Sequence, residues 1–294
     1  MNRYGYLVLQ HIAPEIIDEA ATTLQLAQER SGVVVRSLVS AADNEVAREI
    51  FDAVWPPLGG GTQVPPNLLR AITHAGGYCS AAFLAQGDRE IPVAAALGVL
   101  GMHQTPDGMH MHIHSHMAGV LTEYRNRRIG TAIKHHQRLW ALQHGIDTVV
   151  WTFDPLVARN ARLNLVNLGV TVRGYEPNFY GAMTDSINAG DESDRVFAWW
   201  ELTSDRARAA ARGELEPLEI LGADQIVITT PPDIVSLRAS DPDQARRWRY
   251  QMRTDLMREF AAGREIVGVT PSGDYVLGKY EVTEVPTEGE TSEY

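Results

Sequence analysis

The sequence predicts an α/β (α+β) chain, with a mixed and mostly antiparallel sheet flanked by helices and a small C-terminal α/β extension. Helical and strand-like periodicities mix without strict β-α-β alternation, which favours a mixed sheet over a doubly wound parallel one. Three apolar or alternating runs, 77–85, 92–102 and 110–120, follow one another through turn signals and give three consecutive antiparallel strands. From Ser204 the composition changes to Arg- and Ala-rich helix followed by short strands.

The elements follow in order. Ile16, Ile17, Ala20, Leu24 and Ala27 fall at helical spacing from Pro14 to Arg30, and Ser31-Gly32 ends the pattern. Val33 to Val39 is β-branched and short, and a helical pattern then runs through Val54 to Pro56-Pro57. Leu58 to Pro66 is a loop whose three glycines read as a connector, since no Gly-Lys-Ser/Thr follows. A short helix spans Asn67 to His74. Gln86-Gly-Asp-Arg89 turns one hairpin and Pro106-Asp-Gly108 the next. A helix is expected from about Ile129 to His144, then a strand from Thr148 to Phe153 and a helix to Leu168 with Gly169 as its stop. Asp154-Pro155 has the form of an N-cap followed by proline. Thr171 to Tyr175 and Arg195 to Leu202 complete the main sheet. The extension holds a strand at Gln225 to Thr230, a long helix opened by Asp241-Pro242, and a hairpin around Pro271 to Asp274. The implied segments are 1–32, 33–202, 203–282 and an acidic tail at 283–294.

The chain has 294 residues, 44% of them apolar, enough for one large core or two modest ones. A net charge of −11 argues against broad attraction to nucleic acid or anionic membrane, so an anion must be held locally. The single cysteine, Cys79, excludes an intramolecular disulfide and a Cys-rich zinc site. Met1 to Gln10 lacks the apolar core of a signal peptide, and no run approaches the ~18 apolar residues of a membrane span, so a cytoplasmic location is expected.

The chemistry concentrates between His110 and Lys134. Histidines at 110, 112, 114 and 116 recur with period two, so a strand directs them to one face. His-x-His is a metal-ligand spacing, but four histidines along a strand span about 20 Å and no third or fourth ligand is placed, so no metal is assigned. Arg125-Asn-Arg-Arg-Ile-Gly130 opens a helix, where backbone N–H groups and the helix dipole favour an anion; a solvated basic turn is the alternative. Arg246 to Arg253 mixes basic and aromatic residues, but Trp248, Met252 and Leu256 at spacing four read as a packing stripe. Trp199 and Trp200 alternate on a strand, one directed to the core and one beneath the extension.

The order of elements from Val33 to Leu202 resembles the GNAT superfamily of N-acetyltransferases. In that family Arg/Gln-x-x-Gly-x-Gly/Ala follows the fourth strand and cradles the acyl-CoA pyrophosphate. Val120 to Ala132 looks like that motif, with Arg125 and Gly130 in place and Arg128 where the first glycine is usual. The resemblance implies a cofactor site at Ala118, Gly119, Val120, Arg125, Asn126, Arg127, Arg128, Ile129, Gly130, Thr131 and Asn160. It also implies a bulge near Met117 to Val120, where Gly119 suits close approach of the pantetheine arm.

His114-Ser-His116 is similar to the arylalkylamine N-acetyltransferases, in which two histidines at this distance before the bulge relay the proton. His116 is therefore the first candidate for general base and His114 the second. The tyrosine that many members use as acid would fall at Leu165, which carries no proton; Tyr175 and Tyr180 are nearby candidates. The expected reaction moves an acetyl or other acyl group from acyl-CoA to a small-molecule amine, with a homodimer left open. A non-catalytic acyl-CoA-sensing module and a metal-dependent hydrolase using the histidine strand are the alternatives.

Overall fold

The computed structural model describes residues 7–8, 10–106, 108–183, 185 and 190–279. The acidic tail expected at 283–294 and most of Met1–Gln10 lie outside the described residues. Helix α1 (Pro14–Ser31) starts on a proline, whose missing N–H costs nothing in the first turn, and ends at Gly32, whose φ of 69° is open to glycine. Strand β2 (Val33–Ser37) buries Val33 and Val35. Helix α2 (Ala41–Val54) is fixed by a capping box: Asp43 N–H donates to Ser40 Oγ at 3.1 Å, and Ser40 N–H to the Asp43 carboxylate at 3.0 Å. Helix α3 (Pro66–His74) completes this layer.

Strands β3 (Tyr78–Gln86), β4 (Arg89–Thr105) and β5 (Gly108–Val120) form the expected antiparallel run, with β4 and β5 longer than the apolar pattern alone indicates. A short 3₁₀ turn, Thr122–Tyr124, leads to α4 (Ile129–Gln143), β6 (Thr148–Phe153) and α5 (Ala158–Arg162). A π turn at Leu163–Asn167, then β7 (Thr171–Glu176) and β8 (Arg195–Glu201), complete the main sheet. Its order is β2-β3-β4-β5-β6-β8-β7, with β1 (Leu7–Val8) parallel to β5. One core cluster, with α1 and α4, fills one face of the sheet; a second, with α2 and α3, fills the other.

Three local expectations change. The helix expected from Asp154 begins at Ala158: Asp154 instead closes a tight turn by accepting Leu156 N–H at 3.0 Å. Trp200 is buried, but Trp199 packs against His103 and under the Arg173 guanidinium rather than beneath the extension. The extension contains α6 (Asp205–Arg212), β9 (Ile226–Ile228), the unanticipated α7 (Ile234–Ser240), α8 (Pro242–Ala261), β10 (Arg264–Val269) and β11 (Tyr275–Lys279). Its Ile228, Ile234, Met252, Leu256, Tyr275 and Leu277 join the same core cluster as Val149 and Trp200, so the extension is packed onto the sheet. Among the described residues no helix is long and apolar enough to cross a membrane.

Candidate active site

The site is built on a fork in the sheet. Parallel strands β5 and β6 pair only at Ile113 with Val149 and His114 with Val150; beyond those residues they part. On its other edge β5 stays paired to β4, where Leu97 faces Met117 and Gly98 faces Ser115. His116 is the extra residue between them, a bulge. A Cβ at Gly98 would lie 2.6 Å from Ile113 Cγ2, so the strand opposite the bulge admits only glycine. Past the fork one edge of Met117 to Val120 faces a cleft of about 900 Å3, the upper part of the ~300–1,000 Å3 range of small-molecule sites. Such an edge offers N–H and C=O groups to an amide-bearing ligand. Gly119 has a second cause: a Cβ there would come within 3.0 Å of Trp55 and Val54, so its bareness serves the packing of α2 as well as any ligand.

At the cleft mouth the loop before α4 is held open by two left-handed residues, Asn126 (φ 63°) and Arg128 (φ 61°). The first intrahelical bonds are Thr131 and Ala132 N–H to Arg128 C=O, at 3.1 and 3.2 Å. Among the described residues the N–H groups of Asn126, Arg127, Arg128, Ile129 and Gly130 have no acceptor within the chain. Five free donors at a helix N-terminus make an anion cradle, and the side chains of Arg125 and Arg128 line it. A diphosphate fits this donor set. Ala118, Gly119, Val120, Asn126, Ile129, Gly130, Thr131 and Asn160 line the same cleft. Arg127 does not; its guanidinium lies over the Tyr124 ring. Asn164, buried on the π turn, was not anticipated at the cleft.

Of the candidate proton-handling residues, His116 and Tyr180 line the cleft, whereas His114 and Tyr175 do not. The His114 and His116 rings stand 6.2 Å apart. Burial lowers the pKa of both below the usual histidine value; at His114 the neighbouring His116 and Lys134 add to it. Tyr180 Oη lies 3.1 Å from Thr152 Oγ1. Tyr175 Oη donates to the Asp194 carboxylate, and burial followed by that carboxylate raises its pKa, leaving its proton committed. Leu165 is buried at 1% exposure. His110 and His112 lie away from the fork: Gln10 contacts His110 at 2.8 Å, and His103 and His112 meet through their Nδ1 atoms at 3.1 Å. Among the described residues no three His, Cys, Asp or Glu side chains converge as a metal site.

The residue the sequence reading passed over is Lys134. It is 6% exposed and lines the cleft. Its Nζ donates to Ser115 Oγ at 2.9 Å and Gln137 Oε1 at 3.1 Å, and lies 3.8 Å from the centre of the Trp151 ring. Among the described residues no carboxylate is within ion-pair distance, and burial pushes its pKa down to about 7. Lys134, His135, Gln137 and Arg138 of α4 are all buried, because the helix lies between α1 and the sheet.

The far wall comes from the β7-β8 connection and the extension. Arg195, 9% exposed, lines the cleft beside Tyr180, its guanidinium 5.3 Å from that ring. A bridge between Pro57 and Asp185 joins two loops here. Behind them Asp154 and Asp191 are clamped by Arg249 and Arg238: Arg249 reaches Asp154 at 2.8 Å and Asp191 at 2.8 Å, Arg238 reaches Asp191 at 2.9 Å, and Arg238 also contacts Asp154. Burial pushes the Asp154 carboxyl up, but the two guanidiniums overcome it and hold it well below the usual range. Arg238 and Val235 of α7 line the cleft, so the extension contributes to its wall.

No protein-family model matches the sequence. No curated protein matches it either. Solved structures do. The Escherichia coli ribosomal-protein-S18-alanine N-acetyltransferase is 13% identical, over 58% of this chain and 95% of that one, with a TM-score of 0.41. Arabidopsis thaliana NAA60, solved with a bisubstrate analogue, is 13% identical over 57% and 98%, with a TM-score of 0.45. Arabidopsis thaliana Naa50, solved with a CoA-acetyl-peptide analogue, is 13% identical over 57% and 97%, with a TM-score of 0.42. The strand order, the bulge on β5 and the fork between β5 and β6 below a basic loop are the features that the resemblance of the sequence to the GNAT superfamily implies.

Proposed function

We propose that the protein transfers an acetyl or longer acyl group from acyl-CoA to the amine of a small molecule by direct attack. The observation that carries this reading is one continuous cleft. Five free N–H donors and two arginines stand at its mouth, an open β5 edge forms its wall, and unpaired His116 stands at the fork. The cradle takes the diphosphate, the strand edge takes the pantetheine amides, and the thioester reaches the fork. CoA supplies the activated acyl group; the chain orients it and moves protons. Thr152, with Tyr180 bonded to it, lines the cleft together with His116. There His116, seconded by His114, takes the proton of the attacking amine. The chemistry is assigned to side chains of this chain, with no metal role.

A thermal-shift screen with acetyl-CoA, longer acyl-CoAs and EDTA tests the reading. Acyl-CoA raises the melting temperature and EDTA leaves it unchanged. The absence of any acyl-CoA shift would contradict the proposal. A second reading, a non-catalytic acyl-CoA-binding module, is favoured by Leu165 in the position of the usual acid; it predicts the same shift with no thiol release against amines.

A further inference from the structure

Lys134 stands where the fork opens. Ile113 with Val149 and His114 with Val150 are the last paired residues, so Ser115 and Trp151 are the first on each strand past the split, and Lys134 Nζ contacts both. It projects from the helix whose N-terminus forms the anion cradle, four residues beyond Gly130, or about 6 Å along the axis. An extended ligand anchored by phosphate at the cradle and lying along the open β5 edge therefore brings its far end to Nζ. Buried cations are normally paired. This one has a hydroxyl, an amide oxygen and an aromatic face, and it lines a cavity. Among the described residues it has no carboxylate partner, and an anion that forms in the cleft supplies one.

We propose that Lys134 is the group that receives the departing thiolate of acyl-CoA. The proposal rests on the acyltransfer reading and fills the role that Leu165 leaves empty. The acceptor nitrogen bonds to the carbonyl carbon, the C–S bond breaks, and its electron pair goes to sulfur. The Lys134 ammonium pairs with that sulfur and gives it a proton, while the acceptor nitrogen gives one to His116. Exchange with water then restores a proton to Lys134 and removes one from His116, so the sum is amine plus acyl-CoA to amide plus CoA. A nitrogen with a lowered proton affinity suits the task, because it releases its proton readily near neutrality. Ser115 Oγ and Gln137 Oε1 accept its N–H groups and orient it.

The test needs no acceptor. Free CoA is bound to the protein, binding is measured by calorimetry, and the bound thiol is titrated by the ultraviolet absorbance of its thiolate. A nearby ammonium lowers a thiol's pKa. Bound CoA is expected to hold at least about tenfold more thiolate at pH 7 than free CoA, and Lys134→Met should abolish that excess while still binding CoA. A purely structural lysine, or one that binds only the thioester carbonyl, leaves the thiol unshifted. If CoA binds and its thiol titrates as in solution, the assignment of Lys134 is overturned. The wild-type measurement decides this even if Lys134→Met folds poorly. Lys134→Gln, which keeps the bonding to Ser115 without the charge, is the second variant and should also lose the excess. If CoA fails to bind, the acyltransfer reading itself has failed, and the calorimetry reports that separately.

Discussion

Lys134 Nζ donates to Ser115 Oγ across 2.9 Å at the point where two parallel strands part, with no carboxylate within ion-pair distance among the described residues. Its pKa falls from 10.5 unfolded to about 7 folded. Between those values the unfolded chain binds more protons than the folded one, so the group's cost to stability is complete below pH 7 and fades as pH rises toward 10.5. Lys134→Met should therefore stabilise the protein at pH 6 by about 2–4 kcal/mol, at roughly 1.4 kcal/mol per pK unit with some loss for the broken hydrogen bonds. The gain should vanish near pH 10. Urea unfolding of both proteins across pH 6 to 10 measures it; a variant less stable than wild type at pH 6 contradicts the account.

In the proposed mechanism the histidines act when neutral. Burial depresses both, so their protonation should cut the acyltransfer rate only below the ordinary histidine value of 6.5. His116→Ala should slow transfer at pH 7 by about 10²–10⁴, His114→Ala less, and the double variant should lose the acid limb of the pH profile. Lys134→Met should instead flatten the alkaline limb. An unchanged acid limb in the double variant removes the histidines from the mechanism.

Arg128 holds a left-handed backbone at φ 61° in the anion cradle. That geometry costs a side-chain-bearing residue roughly 1–2 kcal/mol, partly offset in glycine by its greater unfolded-state entropy. Arg128→Gly should raise stability by up to about 1 kcal/mol and weaken acetyl-CoA binding about tenfold through the lost charge-assisted contact. Melting curves and calorimetry on one preparation report both effects. A loss of stability would mean that the guanidinium, rather than the backbone, holds the loop.

Asp154 anchors the extension to the sheet. Arg249 is 1% exposed and pairs with both Asp154 and Asp191, so Asp154→Asn removes one of its two counter-charges and should cost about 2–3 kcal/mol at pH 7. The folded carboxyl titrates below its unfolded value of about 3.9, so its contribution is complete above that pH and is lost as pH falls through and below it. The gap between wild type and variant should therefore close on acidification. A gap below about 1 kcal/mol at pH 7 in denaturant unfolding contradicts the anchoring role.

Much of this was legible in the sequence, for physical reasons that differ by element. The histidine alternation fixed which residues of β5 share a face, and Arg125 to Gly130 marked the cradle, because both signals are local. The bulge that singles out His116 depends on pairing with β4 at Gly98, a relationship between distant residues. Lys134 looked like an ordinary polar helix position because the strands that cover it, β5 at Ser115 and β6 at Trp151, meet it only through tertiary packing. Asp154 next to proline carried a strong capping signal, and it does close a turn; its larger role comes from Arg238 and Arg249, which no spacing connects to it. Tyr175 had the right chemistry and the wrong neighbour, Asp194.

The most direct measurement is release of free thiol from acetyl-CoA by the purified protein against a panel of primary amines, including arylalkylamines, polyamines and peptide α-amines. The account predicts acceptor-dependent release with a small-molecule amine that falls at least a hundredfold in His116→Ala, a loss in the range of a general base. Acetyl-CoA that binds but is never cleaved faster than in buffer, with every amine, would contradict it.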